Sequence, residues 1–294
     1  MLRPVLAVVL AAALAGCATT GQALNTPPAA LITATKTTPT LRDLPAPARP
    51  LDVAVYEFPD LTGQAKPNPT FAEYSRAVTQ GGAAILVDVL TTAGSGSWFR
   101  IAERGGLKNL VQERTLIENT NRSYEGGSGP LPPVRFAGIL LEGGIVGYDS
   151  DEVTGGAGAK FFGIGGDVQY RSDVVTINLR AVSVQSGEVL ASTTTTKQIY
   201  SFQTRAGAYV FAEPERLLEI EAGFSRNDPS QLAVREAIEL AVYSLIVNGV
   251  ERGLWDLADG SAEAQFVSDF KSSYTAPPVA AAPSDSRPVR ASLF

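Results

Sequence analysis

One side chain in the chain can act as a thiolate nucleophile or an acyl acceptor: Cys17, the single cysteine among 294 residues. There is no histidine, which excludes a Cys/His zinc site and a His-based catalytic triad. A lone cysteine also excludes an internal disulfide. Asp and Glu together number 30, yet no clustered carboxylates propose acid–base catalysis or an oxygen-ligand metal site. The glycine-rich run 155–166 fails as a dinucleotide fingerprint, because Gly156-Ala157-Gly158 is followed by Phe161 where the third glycine belongs. Lys and Arg are scattered through a chain of net charge -6, so nucleic acid is no expected partner. The sequence predicts no cofactor, no metal and no enzyme activity.

The surroundings of Cys17 give its chemistry a direction. Met1-Leu2-Arg3 supplies one positive charge, and the apolar run 5–14 is too short to span a bilayer as a helix. The run ends in Leu14-Ala15-Gly16-Cys17, which resembles the lipobox of bacterial lipoproteins. That resemblance implies a signal peptide over 1–16, removal of those residues, and lipidation of Cys17 as the first mature residue. Residue 18 is Ala18 rather than aspartate, which resembles lipoproteins passed on to the outer membrane. The expected product is exported and lipid-anchored.

The elements that such an anchor would serve centre on 148–224. Along 153–162, Val153, Ala157, Ala159 and Phe161 share one parity, while Thr154, Gly156, Gly158 and Lys160 share the other. After a glycine-rich turn at 163–166, Val168 and Tyr170 alternate with Asp167, Gln169, Arg171 and Asp173. A second pair repeats the pattern. Tyr200 and Phe202 alternate with Ser201, Gln203 and Arg205, and Leu218, Ile220, Ala222 and Phe224 alternate with Glu219 and Glu221. Period-two alternation gives a strand one apolar and one polar face. Strands of about 10 residues joined by short turns have the length of barrel strands that cross a bilayer. A half-buried sheet in a soluble domain has the same alternation, so the anchor has to weigh in.

The flanking chain reads as an α/β body. The Thr/Ala/Pro-rich stretch 17–50 is expected to be an extended tether, followed by a core strand from Leu51. Residues 59–80, with Pro59, Pro67 and Pro69, form a long polar loop of the kind that is usually functional. Helices are predicted over 82–92, 106–118 and 231–253, the second with Leu107, Leu110, Val111 and Leu116 near one face. Strands are predicted over 98–102, 136–148, 174–184 and 189–196, so the core strands run on into the paired hairpins. The 259–294 tail is expected to be disordered.

Spaced matches along 44–257 resemble the curli-secretion channel family, the CsgG-like lipoproteins. They include Leu44-Pro45-Ala46-Pro47, Thr62-Gly63-Gln64, Glu103-Arg104, Gly147-Tyr148, Phe162-Gly163-Ile164-Gly165, Asn178-Leu179-Arg180 and Arg252-Gly253-Leu254-Trp255-Asp256-Leu257. The resemblance implies a homo-oligomeric outer-membrane channel that exports unfolded amyloid subunits without nucleotide, with periplasmic accessory factors as further partners. Each protomer would give two hairpins to one shared barrel, about nine copies for a barrel of about 36 strands. It also makes 59–80 the constriction loop. Carried over by position, the constriction residues are Asn68 and the pair Glu73-Tyr74, with one residue inserted between them here.

The fold class expected is therefore an α+β or α/β periplasmic domain, 51–147 with 225–258, carrying two transmembrane β-hairpins over 148–224 that join an oligomeric β-barrel. Lys160, Asp167, Gln169, Arg171, Asp173, Gln203, Arg205, Glu219 and Glu221 should face the lumen. Phe161, Ile164, Val168, Tyr170, Tyr200, Phe202, Leu218 and Ile220 should face lipid. Two other classes stay open: a soluble periplasmic lipoprotein that binds a partner, and an envelope enzyme working with carboxylates.

Overall fold

The computed structural model of the protein describes residues 34–64, 78–124, 130–154, 169–203, 209–212 and 229–274. Strand β1 (Leu51–Val55) buries Val53, Ala54 and Val55 and pairs in parallel on both sides. Its neighbours are β2 (Phe99–Ala102) and β3 (Ile139–Thr154). Parallel neighbours need a crossover, and helix α1 (Thr37–Arg42) precedes β1 while α2 (Gly82–Thr92) lies in the β1–β2 connection. Beyond β3 the pairing turns antiparallel, through β4 (Gln169–Ser183), β5 (Val189–Gln203) and β6 (Tyr209–Ala212). The sheet order is β2-β1-β3-β4-β5-β6.

The core forms where one face of this sheet meets helix α4 (Pro229–Glu251). On β4, Val175, Ile177, Leu179 and Ala181 are buried at every second position, while Arg180 on the other parity is exposed. Helix α4 answers with Ala233, Val234, Ala237, Ile238, Ala241, Val242, Leu245 and Ile246, all buried. A β-bulge between Ile145 and Gly147 rephases β3. Ile145 before it and Tyr148 after it are both buried, although an unbroken strand would send them to opposite faces.

Two parts of the chain depart from the sequence reading. The stretch expected as a tether packs from residue 37 on: Leu41 is fully buried, Leu44 nearly so, and Trp98 Nε1 donates to Pro45 O at 2.9 Å. Leu41 with Thr37 and Thr38 gives α1 a buried face, and Leu44 follows just after the helix, which composition concealed. The expected tail contains helix α5 (Glu263–Tyr274), whose Phe266, Phe270 and Tyr274 pack on Tyr243 with ring centroids 5.9, 4.7 and 5.7 Å away. These aromatics recur every four residues, the spacing of one helix face. At the outer end of β5 the pairing strand is β6, at 209–212, and the return strand expected over 218–224 lies outside the described residues.

Helix α3 (Leu107–Ser123) forms near where its periodicity predicts it, but no residue of it is buried. Val111 and Leu116 are 50% and 59% exposed. Leu107 and Leu110 are partly buried, so it is the Val111 and Leu116 part of its apolar face that lies open within the described residues of one protomer.

Candidate channel strands and the loop stem

The stem of the 59–80 loop is built on β3. Ile145 N donates to Pro59 O at 3.0 Å and Leu61 N donates to Ile145 O at 2.9 Å, so the outgoing chain is pinned along the strand. The Asp60 carboxylate then ties the outgoing and returning arms together. Its Oδ1 accepts from Thr62 N at 2.9 Å and Thr62 Oγ1 at 2.6 Å, and its Oδ2 accepts from Gln80 Nε2 at 3.1 Å. The same Gln80 amide donates to Val78 O at 3.2 Å. Asp60→Ala is expected to cost about 1–3 kcal/mol locally, the worth of charge-assisted bonds. Hydrogen exchange checks this: the Thr62 amide should lose protection while amides of α4 keep theirs.

Close approach at this stem depends on the absence of a side chain at Gly143. A Cβ there would stand 2.0 Å from Asn178 O and 2.9 Å from a ring carbon of Phe58. Phe58 is buried and closes the underside of the loop stem.

Above the core, β3, β4, β5 and β6 continue as a ribbon. The register aligns Val153, Tyr170, Phe202 and Val210 in one row across four strands. The next row is Glu152, Arg171, Ser201 and Phe211. Successive rows of a sheet belong to opposite faces. The ladder runs as far as Thr154↔Gln169, leaving residues 155–168 between the two strands. Past Ile145, β3 pairs with β4 alone, and β6 pairs with β5 alone, among the described residues.

At the foot of this ribbon one expectation is corrected. Asp173 does not face water in the protomer: it is 4% exposed and accepts a hydrogen bond from Tyr148 Oη at 2.9 Å. The reason is parity, since Asp173 belongs to the row set of Val175, Ile177 and Leu179, the face that α4 covers. Gln169, Tyr170, Arg171, Tyr200, Phe202 and Gln203 lie on the described strands. Cys17, Asn68, Glu73, Tyr74, Lys160, Phe161, Ile164, Asp167, Val168, Arg205, Leu218, Glu219, Ile220 and Glu221 lie outside the described residues.

A buried carboxylate that sequence reading passed over sits in α4. Glu239 is fully buried and accepts from Thr38 Oγ1 at 2.8 Å, from Thr35 Oγ1, and from Arg235 Nε at 3.2 Å. Arg235 continues to Asp88 on α2, Nη2 to Oδ2, at 2.6 Å. This network joins the segment before α1 to both helices behind the sheet. Burial pushes the Glu239 carboxyl above its ordinary range, opposed by the Thr35 and Thr38 hydroxyls and by Arg235. A single Glu inside the Ile238–Val242 apolar run was the signal available. Among the described residues no helix is long and apolar enough to cross a membrane, and no group of three or more carboxylates or thiols could hold a metal.

Comparison with known proteins adds the family. Residues 34–273 match the model of "Curli production assembly/transport component CsgG". The chain belongs to the CsgG family. Two CsgG proteins show how near the likeness is. That of Escherichia coli K12 is 43% identical over 223 residues, 74% of this chain and 78% of that protein. That of Salmonella typhimurium LT2 is 43% identical over 220 residues, with the same shares covered. Among solved structures, a PelC dodecamer from Paraburkholderia phytofirmans superposes only loosely, with TM-score 0.29 and 18% identity over 67% of this chain and 90% of that one. The matched CsgG region takes in α1 and nearly all of α5, the two elements that composition had assigned to a tether and a tail.

Proposed function

We propose that this chain is one protomer of a ring-shaped outer-membrane channel that exports unfolded curli-like amyloid subunits. The observation that carries the reading is a pair of ribbon edges that no strand covers among the described residues, one on β3 beyond Ile145 and one on β6. In a bilayer an open edge exposes unsatisfied N–H and C=O groups, each costing several kcal/mol, about 2–7 by transfer. The described strands of one protomer leave both edges uncovered, whereas copies set side by side would cover each other's and close a barrel. About nine copies would make a barrel of about 36 strands. The exposed Val111 and Leu116 of α3 give neighbouring copies a second surface to bury.

Row polarity supports the orientation of the strands. The Val153–Tyr170–Phe202–Val210 row suits lipid, as do Phe161, Ile164, Val168, Tyr200, Leu218 and Ile220 on the hairpins' apolar parity. Lys160, Asp167, Gln169, Arg171, Gln203, Arg205, Glu219 and Glu221 suit a watery lumen. Cys17 carries the lipid anchor, and periplasmic factors bring the exported chain. Transport proceeds by diffusion of an unfolded polypeptide, without nucleotide. Asn68, Glu73 and Tyr74 form the constriction on the stem held by Asp60 and Gln80.

Particle imaging of the full-length protein in mild detergent tests the assembly: closed rings are expected, and dispersed monomers would contradict it. Selectivity tests the constriction. A ring of Glu73 carboxylates attracts cations, so Glu73→Gln is expected to shift the reversal potential in a salt gradient toward lower cation preference. An unchanged reversal potential would remove Glu73 from the narrow ring.

A further inference from the structure

The extended segment 130–138, which leads into β3, is held by arginine side chains along its length. Arg114 on α3 donates to Pro132 O, and Arg104 Nη2 donates to Arg135 O at 3.0 Å. Arg135 and Arg100 both pair with Asp52, at 3.2 and 2.7 Å. So fastened, the segment holds Phe136 out into solvent at 82% exposure. Val184, half exposed, is brought to the same end of the sheet by its N–H bond to Gly138 O at 3.0 Å.

Positive charge exceeds negative here. Among the described residues Asp52 pairs with two of the four guanidinium groups, Arg100 and Arg135, while Arg104 and Arg114 bond to backbone carbonyls. Glu103, whose Oε1 accepts from Gly106 N at 2.6 Å at the start of α3, adds a second negative charge, which leaves the four arginines in excess. A chain of net charge -6 thus presents a local cationic surface around an exposed phenyl ring. A folding role does not explain Phe136, which buries almost nothing.

We propose that this patch docks a separate polypeptide through an acidic segment that carries an apolar side chain. Guanidinium forks recognise carboxylates in bidentate geometry, and an aromatic ring ringed by polar groups is the usual anchor of a protein interface. Among the chain's own segments outside the described residues, 1–33 contains no acidic residue, 275–294 contains Asp285 against Arg287 and Arg290, and the acidic 213–228 belongs to the second hairpin on the channel reading. Lipid headgroups are out of reach on the channel reading, on which this one step rests. Phe136 stands at the Ile139 end of β3, and the hairpins that would cross the bilayer begin at 148, nine residues further along, roughly 30 Å at about 3.3 Å per residue.

The test uses the full-length protein in detergent and fluorescence anisotropy with a labelled random copolymer of glutamate and tyrosine. Unlabelled polyglutamate and dextran sulfate serve as competitors. Binding that weakens as salt rises from about 0.05 M to about 0.5 M is expected, with the copolymer preferred over both competitors. Phe136→Ser should weaken copolymer binding about tenfold and erase its advantage over polyglutamate. Arg104→Gln with Arg114→Gln should weaken both polymers. Absence of binding, equal competition by dextran sulfate, or indifference to Phe136→Ser would overturn the proposal. So would loss of binding to phosphatidylglycerol vesicles, or loss of self-association, as the main effect of Phe136→Ser, since either names a different occupant. Ring images from the same preparations keep the two readings apart: intact rings without copolymer binding sink the patch alone, and copolymer binding by a chain that forms no rings sinks the channel alone.

Discussion

Glu239→Ala is expected to destabilise the protein by about 3 kcal/mol, the scale for breaking a buried charged pair while its partner stays in place. The substitution strips the acceptor from the Thr35 and Thr38 hydroxyls and leaves Arg235, only 12% exposed, with Asp88 alone. Because α1 and the segment before it reach the helices through these bonds, the loss should appear first as cleavage of the 34–42 region by protease. Glu239→Gln refines the test through pH. Burial raises the folded-state pKa of Glu239 above its ordinary value near 4.5, so the folded chain holds the proton more tightly than the unfolded one. The stability this provides is complete below the ordinary value and is lost as pH rises through the folded value. Glutamine does not titrate. The Tm advantage of the wild type over Glu239→Gln should therefore shrink as pH rises across that window. A gap that is constant in pH would mean Glu239 titrates alike in both states, and an alanine variant as stable as wild type would mean the network is ornamental.

Gly143→Ala is expected to be at least as damaging, about 3 kcal/mol or more, at the upper end of overpacking costs. The new methyl would stand 2.0 Å from a backbone carbonyl oxygen of the neighbouring strand, where no rotamer change can relieve it. Relief requires β3 and β4 to separate at Gly143↔Leu179, directly beneath the stem pinned by Pro59, Asp60 and Leu61. Thermal melting measures the loss, and hydrogen exchange at Ile145 and Leu61 shows whether the stem opens. Gly260→Ala is the matched control: its Cβ meets nothing within 4 Å, and the expected change is within about 0.5 kcal/mol. Equal melting temperatures for the two variants would overturn the assignment of Gly143 as a close-approach site.

The parts of the fold that were legible in the sequence are those where one periodicity governs a long segment. Helix α2 spans 82–92 as its apolar spacing predicts, and α4 starts and ends two residues earlier than its apolar stripe suggests. The long strands and their turn near Gly187 follow from alternation and from a glycine at φ 72°. Composition misled where a few side chains outweigh their neighbours. Leu41 and Leu44 fold a Thr/Pro-rich stretch onto the core, and Phe266, Phe270 and Tyr274 fold an Ala/Ser-rich one. Parity misled at Asp173, because the polar set of the ribbon and the apolar set under α4 are one face of one strand, changing character at that residue. Glu239 was hidden for the opposite reason: a buried acid is recognised only when its donors are known, and Thr35, Thr38 and Arg235 converge on it from separate segments. The arginine-held segment before β3 carries no period of its own, and the strand predicted from 136 starts at Ile139.

Single-channel recording of the full-length wild-type protein in a planar bilayer tests the central claim most directly. Copies that close their open β3 and β6 edges around a shared lumen should give discrete, steady conductance steps of one size, with cation preference. Insertion without steps, or irregular leakage of variable size, would mean that these edges are covered in some way other than by a closed barrel, and the channel reading would fall.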